Sequence, residues 1–237
     1  MNYVDEILVL SRIAGGYVRK AYNRPSRVVR SGIDVERFRK ASGASFRERY
    51  GLGKDFVLLQ VGNLEINKRQ ADAIKALQIL STTHSGIKLV FDGGGRRIEL
   101  IRLAERLSVK DKVLFQRSTS DEELADVYAA CDVFLFPAQI TWGLAVVEAM
   151  AAAKPAIVSS KCGVSEIIQS GVNGIIVEHG KPEALPKQVE MLLNDASLRR
   201  KLGENAYEYV KSHRSWERYA ILMEEVFEKA VHACEKG

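Results

Sequence analysis

Apolar residues gather in six compact runs, at 56–61, 87–91, 113–115, 133–136, 156–158 and 175–177, and between the runs they recur at helical spacing. Each run is nearly continuous in Val, Leu, Ile and Phe instead of alternating with polar residues. That is the pattern of strands covered on both faces. Strand-like runs alternating with helical segments predict an α/β fold, a six-stranded and mainly parallel sheet with helices on both sides. Helix punctuation agrees. Ser120-Asp121-Glu122-Glu123 is a capping-box signature ahead of Leu124, Tyr128 and Cys131, which recur at helical spacing. Leu100, Ile101, Ala104 and Leu107 make a second core-facing stripe, and Leu185, Val189, Leu192 and Leu193 a third.

Beyond Ala184 the pattern is wholly helical. One helix, with Ser197 as its expected cap, aligns Leu198, Leu202, Ala206 and Tyr209. A last one starts at Ser215 and aligns Trp216, Tyr219, Ala220, Met223, Phe227 and Ala230, a stripe too apolar to face water. Before residue 40 stand two shorter strand-like runs, Ile7 to Leu10 and Val28-Val29, with a loose basic cluster around them: Arg24, Arg27, Arg30, Arg37, Arg39 and Lys40. That cluster reads as solvated linker.

Composition narrows the class without naming a ligand. The chain of 237 residues is 46% hydrophobic, enough for a sizeable core, and carries a formal net charge of +5. No helix has the basic stripe with interleaved aromatics that nucleic-acid binding needs, so nucleic acid is excluded as a partner. Three cysteines, Cys131, Cys162 and Cys234, lack C-x-x-C spacing and suggest neither disulfides nor a metal, which fits a reducing, cytoplasmic setting. Nothing approaches the roughly 18 apolar residues of a membrane span, so any membrane contact is expected to be peripheral. His84, His179, His213 and His232 show no ligand spacing and read as surface.

The chemistry concentrates at 137–152, where the run 133–136 stops at Pro137 and a helix begins at Gly143. The first amides of a helix are unpaired and the peptide dipoles add, so Gly143 and Leu144 form a ready anion site. Glu148 follows slightly more than a turn later. Other turns at strand ends carry Gly62-Asn63 with Lys68-Arg69, Gly93-Gly94-Gly95, Arg117-Ser118, and Gly163 with Glu166. Ligands of open parallel sheets bind at such ends. A dinucleotide fingerprint would need Gly where Ile98 sits and an acidic residue where Gln116 sits, which excludes nicotinamide cofactors.

Trp142-Gly143-Leu144 through Glu148-Ala149-Met150-Ala151 resembles the motif Glu-x-Phe-Gly-Leu-x-x-x-Glu-Ala-Met-Ala of GT-B retaining glycosyltransferases (glycosyl transferases group 1, family 4-like). Val61 to Arg69 is similar to their Val-Gly-Arg-Leu-x-x-x-Lys-Gly, and Ser31 to Phe38 to their Asn-Gly-(Ile/Val)-Asp-x-x-x-Phe. The resemblance implies a Rossmann-like domain that binds a UDP-, GDP- or ADP-sugar without metal or cofactor. Lys68 and the Gly143-Leu144 amides would meet the diphosphate and Glu148 the ribose, with Gly62, Asn63, Arg69, Arg117, Ser118 and Glu166 nearby. Ile140 stands where the family's first Glu holds the transferred sugar. Asn63 and Arg69 replace the family's Arg and Gly, and Arg117 replaces a Gly at the base.

On this resemblance residues 1–40 are the end of an acceptor domain and its linker, 41–212 the donor domain, and 213–237 a helix crossing back. The expected activity is transfer of a sugar to an acceptor with retention of anomeric configuration. A separate acceptor-binding chain, a homodimer or the rest of a longer enzyme would complete the site, with a peripheral contact at the inner face of a membrane. The alternative, motivated by Ile140, Asn63 and Arg117, is a nucleotide-sugar-binding scaffold without catalysis.

Overall fold

A computed structural model of the chain describes residues 4–117 and 119–234. Strands β1 (Leu8–Val9) and β2 (Arg27–Val28) form a small parallel sheet, joined by helix α1 (Arg12–Tyr22). Helices α2 (Val35–Lys40) and α3 (Ala44–Arg49) then lead into a regular succession. It runs β3 (Phe56–Val61), α4 (Gln70–Leu80), β4 (Ile87–Asp92), α5 (Arg97–Arg106), β5 (Val113–Gln116), α6 (Asp121–Ala130), β6 (Val133–Phe136), α7 (Leu144–Ala151), β7 (Ala156–Ser159) and β8 (Ile175–Val177). Helices α8 (Ala184–Asn194), α9 (Ala196–His213) and α10 (Trp216–Cys234) close the described chain. No helix among the described residues is long and apolar enough to cross a membrane.

The main sheet has the order β5-β4-β3-β6-β7-β8 and every pairing in it is parallel. The six apolar runs are its six strands. Because side chains alternate across a strand, Val57 and Leu59 enter one core, with Phe134, Val146 and Met150. Leu58 enters the other, with Ile74, Leu77, Leu89 and Leu135. Both faces are therefore dry, which is why the runs lack polar alternation. The strand order reverses between β3 and β6, so the turns leaving those two strands diverge and open a crevice at their carboxyl ends.

Three local expectations change. The α9 cap is Asp195, whose Oδ1 accepts from the Leu198 amide at 2.8 Å; a carboxylate one residue before the helix outcompetes the Ser197 hydroxyl, which lies already inside it. On α10 the expected apolar stripe splits. Val226 is buried, whereas Trp216 is 53% and Phe227 63% exposed, so the helix turns part of its apolar surface outward. The basic cluster resolves into pairs: Arg27 with Glu225, Arg30 with Glu166, Arg39 with Glu204 and Lys40 with Glu36. Several of those arginines tie segments together instead of facing solvent as a patch.

Candidate functional site

The candidate residues gather around Phe136, the buried last residue of β6. Lys68 ends a short 3-10 turn after β3, and its Nζ lies 5.1 Å from the centre of the Phe136 ring. The same ring limits Gly143 from the other side: a Cβ there would stand 2.9 Å from Phe136 Cε1 and 3.3 Å from both Cys162 Sγ and Val164 Cγ1. Only glycine lets the first turn of α7 sit this close to the strand end. The ammonium of Lys68 and the start of α7 thus both meet the Phe136 ring. Among the described residues the Gly143 and Leu144 amides have no hydrogen-bond acceptor, as expected of a helix start. Burial pushes the neighbouring Cys162 thiol up to about 11, offset partly by the Val164 amide and by Lys68. It is an inert packing group.

Glu148 lies on the next turn of α7, half-buried, and its Oε2 accepts from the Tyr128 hydroxyl of α6 at 2.6 Å. Desolvation raises the Glu148 pKa, while the Tyr128 hydrogen bond and the Arg37 charge lower it and Asp121 raises it. Tyr128 is fully buried and its own pKa is driven well up by the same desolvation and by Glu148. The phenol therefore stays a donor and fixes the direction of the carboxylate. Beside them Asp92, buried at the end of β4, accepts from the Thr119 amide at 3.0 Å and holds the turn after β5. Burial raises its pKa first, and the Thr119 contact lowers it.

The remaining candidates divide. Gly62 lies against the neighbouring turn: a Cβ on Gly93, at φ +155°, would come within 2.2 Å of the Gly62 carbonyl oxygen, so the turns after β3 and β4 interlock. The Gly93–Gly95 segment is structural. Asn63 is exposed, and among the described residues only its carbonyl is engaged, by Gln70 Nε2 at 3.0 Å. Arg69 sits at φ +56°, the backbone that favours glycine, and its Nε is bound to Asp72 of its own helix. It does not reach across to replace the arginine missing at position 63. Arg117 is exposed, and Ser118 lies outside the described residues.

Glu166 has another employment. Its Oε1 accepts from the Arg12 amide at 2.9 Å and the Ile13 amide at 3.3 Å, and its Oε2 from Arg30 Nη2 at 2.6 Å. The carboxylate expected near the donor thus caps α1 and neutralises Arg30. Ser11 completes this junction: its hydroxyl donates to the Thr141 carbonyl and accepts from the Ala14 amide at 3.0 Å.

Ile140 is half-buried, bridged to Cys162, and its carbonyl accepts from the Gly163 amide at 2.9 Å. It opens onto a cavity of ≈ 770 Å³ with Ile13, Tyr17, Thr141, Ser160 and Lys161. A second cavity, ≈ 590 Å³, is lined by Ile66, Arg69, Arg96 and His179. Asn67 and Gln139 border both, joined by a hydrogen bond from the Gln139 amide to the Asn67 carbonyl at 2.9 Å. A third space of ≈ 280 Å³, between Leu64, Leu100 and Leu103, is lined by Arg69 of the candidates and by neither Lys68 nor Glu148. His179, read as surface, is instead half-buried against Ser159 Oγ at 3.1 Å. His84 likewise pairs with Glu190 at 3.5 Å.

With this geometry in hand, the likeness to known proteins is specific. The family model described as glycosyl transferases group 1 matches residues 44–209. EpsD of Bacillus subtilis is 33% identical over 216 residues, 85% of this chain and 55% of that protein. The N-acetyl-alpha-D-glucosaminyl L-malate synthase of Bacillus anthracis is 27% identical over 86% of this chain and 55% of its own length. Among solved structures, that of HepE from Anabaena in complex with UDP superposes with a TM-score of 0.88 at 20% identity, covering 96% of this chain and 65% of that one. The chain spans about half the length of the curated relatives it matches. By sequence over most of its length, and by fold, the chain belongs to the glycosyl transferases group 1 family.

Proposed function

We propose that this chain is the donor half of a glycosyltransferase, binding a nucleoside-diphosphate sugar and passing the sugar to an acceptor with retention of configuration. The observation that carries the reading is the convergence of Lys68 and the α7 amino end on Phe136. As the sugar leaves, charge grows on the diphosphate, and a fixed ammonium with unpaired amides stabilises that charge without reorganising. In this reading Glu148, held by Tyr128, accepts from the ribose hydroxyls, a role that requires an ionised carboxylate. The reading asks for no metal or cofactor. The bound UDP of the HepE structure supports a nucleotide of this class. The acceptor would be held by a second domain, in a longer chain, a partner chain or a second copy, in the cytoplasm or at the inner face of a membrane.

Calorimetric titration of the chain with UDP, GDP and ADP tests this. One nucleotide should bind and Glu148→Ala should weaken it. Failure of all three to bind a folded chain removes the donor-site reading.

Ile140 favours a second reading, a nucleotide-sugar-binding scaffold, because an isoleucine accepts no hydrogen bond where the resemblance puts a sugar-holding carboxylate. Donor turnover on supplying an acceptor-binding partner removes the scaffold. Ile140→Glu separates the two further: an enzyme changes its donor preference and a scaffold changes little.

A further inference from the structure

The cavity beside Ile140 has a sign of charge. Residues that line it stand just ahead, in the chain, of the groups assigned to the diphosphate: Asn67 precedes Lys68, and Thr141 comes shortly before Gly143. Glu148, assigned to the ribose, lies beyond Gly143, inside α7. The nucleoside and the sugar of a donor hang from different phosphates. A nucleoside on the Glu148 side therefore leaves the cavity of ≈ 770 Å³ to the sugar, and that volume is within the range of about 300–1,000 Å³ typical of small-molecule sites.

Among the described residues that line this cavity Lys161 is the one charged group, and no carboxylate stands with it. Ile140 is bridged to Cys162, so Lys161, the residue before Cys162, flanks Ile140. The turn that carries it is fixed. The Lys161 amide donates to Ser159 Oγ at 3.1 Å and the Cys162 amide to the Ser159 carbonyl at 3.1 Å. The Lys161 side chain is exposed and makes no ion pair among the described residues. Glu166, the carboxylate of the turn that follows, is engaged elsewhere: Oε1 accepts from the Arg12 and Ile13 amides and Oε2 from Arg30. The other walls are neutral, the amides of Asn67 and Gln139 and the apolar side chains of Ile13 and Ile140. A cleft lined by one sign of charge concentrates ligands of the other sign.

We propose that the sugar of the donor is a uronic acid, and that Lys161 selects it by pairing with its carboxylate. The proposal rests on the donor reading above and names the substrate class of that site. A carboxylate is an acceptor with two oxygens, which suits one ammonium helped by the side-chain amides of Asn67 and Gln139. Ile140 belongs to the same logic. A glutamate there would stand beside Lys161, pair with it and repel an acidic sugar, whereas isoleucine leaves the ammonium to the ligand. Lys161 is a specificity residue: the carboxylate it holds neither gains nor loses a bond when the anomeric carbon leaves the phosphate oxygen.

The test is calorimetric titration with UDP-glucuronate and UDP-glucose, or with the matching GDP or ADP pair if that is the nucleotide the chain binds. The readout is the ratio of the two affinities, in which any effect of a substitution on the diphosphate cancels. The wild type should bind the glucuronate ester about fivefold more tightly. Lys161→Met should abolish that preference and Lys161→Glu reverse it. Lys187→Glu, the same change of charge on the exposed face of α8, should leave the ratio as it was. A nucleotide that binds while its two esters bind equally, or the glucose ester more tightly, overturns the proposal and leaves the donor reading standing. Preference that survives Lys161→Met overturns it, and so does an equal fall with Lys187→Glu, which is net charge alone. A folded chain that binds no nucleotide removes the donor reading and this proposal together.

Discussion

The Tyr128 hydroxyl points at Glu148 from a fully buried ring, at 2.6 Å across the α6–α7 contact. The bond matters because Glu148 is otherwise pushed toward its neutral form by burial. Its folded pKa is raised, so between its unfolded and folded values the native state holds the extra proton. Stability from this group is present at low pH and declines as pH rises through that window. Donor binding has the opposite trend, since ribose recognition uses the ionised form.

Tyr128→Phe removes a contact that favours ionisation, so the Glu148 pKa should rise further. Nucleotide affinity, measured by calorimetry across pH, is expected to fall off at a higher pH than in the wild type. At a pH where wild-type Glu148 is ionised the loss should be about tenfold. Superimposable pH profiles would show that the carboxylate takes no part in binding.

Lys68→Ala should weaken a nucleoside diphosphate far more than the matching monophosphate. Loss of a charge-assisted hydrogen bond is worth about 1.5–3 kcal/mol, or roughly ten- to a hundredfold in Kd. An equal loss for both nucleotides would move Lys68 away from the diphosphate.

Gly143→Ala drives a Cβ against Phe136, Cys162 and Val164. Overpacking of this kind costs about 1–3 kcal/mol, and in a chain of this size each kcal/mol lowers Tm by about 2–4 °C. Calorimetric scanning reads the stability, and nucleotide titration should show affinity falling as the α7 start moves off the ring.

Glu166→Ala tests whether that residue holds ligand or structure. Removing it leaves Arg30 without a carboxylate and the first α1 amides without an acceptor, a loss of about 2–3 kcal/mol. Hydrogen exchange should rise in α1 while nucleotide affinity stays as in the wild type. An affinity loss with α1 protection unchanged would return Glu166 to the donor site.

The main sheet was legible because burial on both faces writes itself as unbroken apolar runs: 56–61, 133–136 and 175–177 are strands over those same residues. Lys68 and Gly143 were legible as turn residues at strand ends and Glu148 as a residue of the helix that follows, and it is Phe136, read only as core, that brings the first two together. Tyr128 carried no separate signal. At helical spacing with Leu124 and Cys131 it looks like any core aromatic, and only the packing of α6 on α7 aims its hydroxyl. The contacts of Glu166 and His179 were not legible for a related reason. Their partners, Arg12, Arg30 and Ser159, are chosen by tertiary approach over long separations, which local pattern does not encode. The Arg69 backbone, by contrast, explains a local departure: a left-handed position filled by a side chain that then folds back on Asp72.

The Ser11 hydroxyl joins two bonds, one inside the first turn of α1 and one to the carbonyl of Thr141, next to Ile140. A tilt of α1 that keeps both bonds must drag the 139–141 loop with it, and a tilt that breaks them leaves the Glu166 carboxylate as the remaining cap. Position 140 is therefore geared to α1: whatever seats or unseats that helix resets the wall of the cleft by the same stroke.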